Sequence, residues 1–158
     1  MRSLLFCVVV LGCGAKPAPP LVPESGQYAV NATYSEIVCT PFLDADVGEP
    51  YEPFLIDVER LEDGSIHLGT YDECALDNGT SVCSRAVESE GTNPLKDTYY
   101  FYDLDLEVVW ESTTTGHGTF VSAWVCEGAD CDQSNDGCPE GYWSLELYLT
   151  RLGDLSED

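Results

Sequence analysis

From Tyr28 onward the chain alternates apolar with polar residues, and this period of two limits the fold more than any other feature. Successive side chains of a strand point to opposite faces of its sheet. Residues 98–111 carry Tyr100, Tyr102, Leu104, Leu106, Val108 and Trp110 on one face. Asp103, Asp105, Glu107 and Glu111 lie on the other. Such a run needs one buried and one wetted face, and as the longest apolar face in the chain it is expected to be central. The same pattern places Tyr28, Val30, Ala32 and Tyr34 together within 27–39, and Phe54, Ile56 and Val58 within 54–61. It also joins Ile66, Leu68 and Thr70. Residues 112–118, rich in Thr and Gly, read as a polar turn before a strand at 119–126 with Phe120 and Trp124. The last strand, 142–152, turns Trp143, Leu145, Leu147 and Leu149 inward. No stretch has convincing helical periodicity.

Turn chemistry fixes two registers. A two-residue turn at Asp63-Gly64 would put the apolar sets of its two strands on opposite faces. A three-residue loop pairs Val58 with Leu68 and Ile56 with Thr70, keeps one apolar face, and needs a left-handed third residue, which Gly64 supplies. Asn78-Gly79 is a strong signal for a two-residue hairpin turn. Counting outward sets Cys74 opposite Cys83 at a non-hydrogen-bonded pair, where Cα atoms lie about 4.5 Å apart. That is within reach of a disulfide. The register also puts Arg85 on the face of Cys83, which requires a sheet end or a bulge nearby.

About seven strands in meander order make an all-β domain. A closed or nearly closed barrel, or a two-sheet sandwich, would bury their half-apolar faces. In architecture alone the pattern is similar to small lipocalin-like or avidin-like barrels.

The N-terminus has a different grammar. Arg2 precedes an unbroken apolar run from Leu4 to Leu11, too short to cross a bilayer as a helix and suited to a signal peptide. The run ends in Val10-Leu11-Gly12-Cys13, which resembles the lipidation box of bacterial lipoprotein precursors. Cys7 is a poorer match, because Phe6 before it is not small. The resemblance implies cleavage before Cys13 and acylation of Cys13. Residues 1–12 are then a signal peptide, 13–26 a lipidated Cys with a Pro-rich tether, and 27–158 an acidic β domain. The implied location is the cell envelope, membrane-bound through the lipid. Gly14 is not the Asp associated with inner-membrane retention, so the outer membrane is expected, on its periplasmic or surface face.

Export implies an oxidising compartment. Of eight cysteines, the six beyond Cys13 then read as three disulfides. Beyond Cys74–Cys83, the favoured bridges are Cys131–Cys138, closing a short polar loop, and Cys39–Cys126 by default. Cys126–Cys138 is the alternative.

Six basic residues face 29 acidic ones, a net charge of −23. Nucleic acid and anionic lipid surfaces, which need Lys and Arg, are excluded as partners. Cations, basic proteins and glycans are allowed, and the carboxylates would equally serve as a solvated shell. Asp132, Ser134 and Asp136 alternate before Gly137 as in the start of a calcium loop. Asp130 and Glu140 add carboxylates, although Trp143 stands where such a loop carries its bidentate Glu. Calcium is therefore the one candidate ion. Tyr99 and Phe101 fall on the acidic face and form a candidate ligand-contact patch. Asp103, Asp105 and Glu107 have the spacing of paired hydrolytic carboxylates, as any acidic strand face does. His67 and His117 lack a positioned nucleophile. The leading expectation is a non-catalytic binding or interaction domain that takes a ligand, protein or glycan. The alternatives are a calcium-stabilised structural or adhesive module and a carboxylate-dependent hydrolase.

Overall fold

The computed structural model describes residues 21–40, 43–90, 99–128, 130–131 and 138–155. The alternating runs become eight antiparallel strands, one more than the rough count from sequence. They are β1 (Gly26–Val38), β2 (Pro50–Arg60), β3 (Ile66–Leu68), β4 (Tyr71–Asp77), β5 (Thr80–Glu90), β6 (Tyr99–Trp110), β7 (Thr115–Glu127) and β8 (Glu140–Gly153). Each pairs with the next, and β1 pairs with β8, so the sheet closes into a barrel. Closure removes the free edges that a sandwich would leave.

Both turn-based registers are present. Leu61 and Ser65 bracket a three-residue loop, with Leu61 N donating to Ser65 O at 3.0 Å and Gly64 at φ 91°. Val58 lies opposite Leu68. The partnership of Ile56 with Thr70 does not form, because β3 stops at Leu68. Gly69 (φ 57°) and Thr70 turn the chain back so that Tyr71 faces Leu68. Asn78 and Gly79 both take positive φ, 49° and 83°, as the mirror-image hairpin turn demands. Ala75 pairs with Val82 and Asp77 with Thr80. Cys74 and Cys83 are bonded with Cα atoms 4.5 Å apart.

The wall is uneven in height. β5, β6, β7, β8 and β1 are paired along nearly their whole lengths. β3 has three residues, and the β4–β5 ladder runs only from Ala75–Val82 to Asp77–Thr80. A notch therefore opens between the N-terminal half of β2 and the C-terminal half of β5. This explains Arg85: β5 stays in register with β6, Arg85 facing Leu104, but its ladder with β4 reaches only as far as Val82. Arg85 is exposed and its Nη1 donates to Thr70 O at 3.4 Å.

Below the notch the barrel is filled. Tyr28, Val58, Ile66, Leu68, Cys74, Cys83, Val108 and Leu149 are buried there. Tyr28 and Trp110 meet edge to face at 5.6 Å, and Trp110 Nε1 donates to the buried Ser81 Oγ at 2.7 Å. β7 begins at Thr115 rather than at Thr119, so the expected polar turn shrinks to the residues after Trp110. Gly116 and Gly118 face inward, and a Cβ on Gly116 would lie 3.0 Å from the Trp110 ring and from Val108. Gly116 makes room for an indole and Gly118 for the β6 backbone at Glu107 and Val108; neither breaks the strand.

Residues 21–25, which the sequence reading assigns to a tether, pack on the barrel, and β1 begins at Gly26. They cross its filled end. Leu21 packs on the core, and Glu24 N donates to Thr113 O at 2.8 Å. Ser25 Oγ accepts from Arg60 N at 3.0 Å, and Arg151 Nη2 donates to Ser25 O at 2.9 Å.

Two disulfide expectations are overturned. Cys39 bonds Cys138, and Cys126 bonds Cys131. The cause is barrel closure. Pairing of Val38 with Tyr142 brings the end of β1 beside the start of β8, so Cys39 meets Cys138 across that seam. Cys126 ends β7 and finds Cys131 after the chain turns at Gly128 (φ 128°).

Candidate functional site

The same inward faces that fill one end leave space at the other. A cavity of about 940 Å³ occupies the notched half, within the roughly 300–1,000 Å³ common for small-molecule sites. Its depth is apolar: Val30, Leu104, Leu106, Leu145, Leu147 and Leu149, from β1, β6 and β8. Phe120 of β7 and the Gly69-Thr70 turn complete the wall. Tyr71 lines it too, and its buried hydroxyl has no hydrogen-bond partner among the described residues. Burial raises the pKa of that hydroxyl, with Asp105 adding to the rise and Arg85 opposing it.

Aromatic rings surround the mouth. Tyr34 lies 5.7 Å from Tyr51 and 5.9 Å from Trp143, centroid to centroid. Tyr51 and Trp143 are nearly parallel at 6.2 Å. Phe54 packs edge-on to Tyr51 at 5.9 Å, and Phe120 lies 5.2 Å from Trp143. Four strands contribute these rings, so the cluster exists only once the registers are set.

The connection from β1 to β2 folds back over this cluster. Tyr34 N donates to Glu49 O at 3.0 Å and Gly48 N to Tyr34 O at 2.8 Å. Within the turn, Asp46 N donates to Glu49 Oε2 at 3.2 Å. Burial raises the Tyr34 pKa, and the neighbouring Tyr51 and Glu49 raise it further. Asp44, Glu49 and Glu52 are exposed at the rim, and among the described residues every charged one lining the cavity is acidic.

Beyond the mouth, β6 and β7 carry a small second core of Trp124, Cys126 and Cys131, with Tyr100 and Tyr102 against it. Burial also raises the Tyr102 pKa, followed by the effect of Tyr100. The Cys126–Cys131 and Cys39–Cys138 bridges fix this end.

The residues singled out from sequence fall elsewhere. Tyr99 and Phe101 are on the outer wall, 43% and 37% exposed, and Phe101 pairs with the exposed Val125, so the structure does gather an apolar patch there. Asp103, Asp105 and Glu107 also face outward, where Ser84 Oγ donates to Asp105 Oδ1 at 2.6 Å. None of these five lines the cavity. His117 is in β7, its Nδ1 3.1 Å from Glu111 Oε1. Of the calcium candidates, Asp132, Ser134 and Asp136 lie outside the described residues, as does Cys13. Asp130 and Glu140 are described, and no group of three His, Cys, Asp or Glu among the described residues could hold a metal ion.

The mouth residues Tyr51, Glu49 and Glu52 escape a strand-by-strand reading. Pro50 and Pro53 hide the strand they belong to, since proline argues against a paired strand. Here the prolines lie in the half of β2 that borders the notch. Comparison with protein-family models, curated proteins and solved structures finds no match.

Proposed function

We propose that this chain is a lipid-anchored lipoprotein of the cell envelope, in the outer membrane, whose barrel is a non-catalytic receptor or carrier for a small, largely apolar ligand. The observation that carries the reading is the cavity of about 940 Å³ walled by leucines and, among the described residues, six aromatic rings, opening through a gap in an otherwise continuous sheet. Concave, mostly apolar space with a few polar groups at fixed positions is the usual form of a ligand site. Empty apolar volume carries a stability cost through lost packing, which an occupant would recover.

The test is displacement of a neutral, environment-sensitive dye such as phenylnaphthylamine. The barrel should enhance its fluorescence saturably, and Leu147→Trp, which fills the cavity, should abolish the enhancement while the far-ultraviolet spectrum stays β-rich. Dye binding that survives Leu147→Trp would place the ligand elsewhere, on the outer patch of Tyr99 and Phe101 first. Anchoring is tested separately, by mass spectrometry of the mature N-terminus. An acylated Cys13 is expected, and an unmodified N-terminus at another residue would remove the anchor from the proposal.

A further inference from the structure

Three features of the mouth point to the chemistry of the ligand's head. First, Asp44, Glu49 and Glu52 are the only charged residues lining the cavity among the described residues, all at its rim. Second, the rings of Tyr34, Tyr51 and Trp143 pack into one cluster at the mouth, their centroids 5.7–6.2 Å apart. Third, Glu49 is fixed over these rings by the Tyr34 and Asp46 backbone bonds.

An aromatic face carries partial negative charge and attracts a cation held within about 6 Å of its centroid. A carboxylate near the same spot adds to that attraction in the reduced dielectric of a cleft. An anionic head would meet three carboxylates in a chain of net charge −23. Below the rings the wall is hydrocarbon, with the unpartnered Tyr71 hydroxyl as a polar point on it.

We infer that the cavity takes a cationic amphiphile, its hydrocarbon body among Leu104, Leu106 and Leu147 and its amine or quaternary ammonium head against the outer face of the Tyr34, Tyr51 and Trp143 cluster, near Glu49 and Glu52. The inference rests on the cavity binding a ligand at all. Arg85, hydrogen-bonded to Thr70 O at the notch, is the feature that would instead favour an anionic head.

The experiment compares three ligands with one tail, decyltrimethylammonium, decanol and decanoate, titrated below micelle formation by calorimetry. The ammonium should bind about tenfold more tightly than decanol, with decanoate weakest. Glu49→Gln with Glu52→Gln should erase the ammonium preference and leave decanol binding unchanged. Asp103→Asn with Glu107→Gln, on the outer wall, should leave the preference intact. Equal affinity for ammonium and decanol would overturn the head assignment while sparing the cavity reading. Tightest binding of decanoate would also overturn it and assign the head to Arg85. Equal loss in the outer-wall variant would reduce the preference to the field of the whole chain. Failure of all three ligands to bind would remove the cavity reading together with this one.

Discussion

The two ends of the barrel are built from the same alternating pattern, yet one is packed and the other hollow. At the filled end, Tyr28, Trp110, Val108 and Ile66 are 3% exposed or less. At the notched end, Phe54 is 36% exposed, and Tyr51 and Trp143 are only half-buried. Composition does not distinguish them, since both ends bring aromatic and aliphatic side chains inward. The difference is wall height. The three-residue β3 and the short β4 complete the sheet only around the filled end. The teaching is that strand length, set by where turns fall, decided which half became core and which became cavity.

That contrast predicts an ordered series of effects. The largest belongs to the seam at the notched end. Replacing Cys39 and Cys138 by Ser removes a bridge of sequence separation 99, and a loop of that size should cost about 4–5 kcal/mol in urea unfolding on the chain-entropy account. The Cys74–Cys83 bridge, of separation 9, should cost only about 2–3 kcal/mol. Equal losses would show that loop entropy does not govern either bridge.

Next comes the indole pair. Trp110→Ala at the filled end should cost about 3–5 kcal/mol. Trp143→Ala at the mouth should cost much less and should weaken ligand binding instead. If the two substitutions destabilise equally, the mouth rings are core after all. Ser81→Ala, which strands the Trp110 N–H, should cost about 1–3 kcal/mol, read from the same denaturant curves.

The smallest expected effect is the share of the alkaline pH dependence that Tyr28 supplies at the filled end. Burial raises the Tyr28 pKa from near 10 to about 12, the Arg151 charge lowering it and Glu24 raising it in turn. The folded state therefore holds the proton more tightly than the unfolded one. This contribution to stability is complete below pH about 10 and is lost as pH rises through about 12. Tyr28→Phe should flatten the stability curve across that window, and an unchanged slope would contradict the burial effect. The same substitution forfeits the hydroxyl's reach to the Glu24 and Thr113 carbonyls, 2.8 and 3.0 Å away.

Much of the fold was legible because its signals are local. Alternation gave the strands, and Asn78-Gly79 and Gly64 gave two registers that the barrel keeps. Long-range closure was not legible, and it misplaced two disulfides: nothing in the sequence near Cys39 announces that Cys138 lies across the seam. Gly116 and Gly118 read as turn residues because a glycine that admits a close neighbour cannot be told from one that bends the chain until Trp110 is seen opposite Gly116 and Val108 opposite Gly118. The mouth was hidden for a related reason. Its rings come from β1, β2, β7 and β8, and the β2 contribution carries Pro50 and Pro53. Tyr99 and Phe101 drew notice as exposed aromatics on one strand, whereas the cavity needed four strands to be assembled.

Residues 21–25 lie across the filled end, tied to Arg60, Thr113 and Arg151. The described chain therefore begins at the filled end, opposite the mouth. The twelve residues of β6 span roughly 40 Å along the strand, or roughly 30 Å of height after the usual barrel tilt. The lip and the plugged base are therefore roughly that far apart, so the barrel works like a cup: whatever Leu21 touches at the base is held away from whatever enters at the lip.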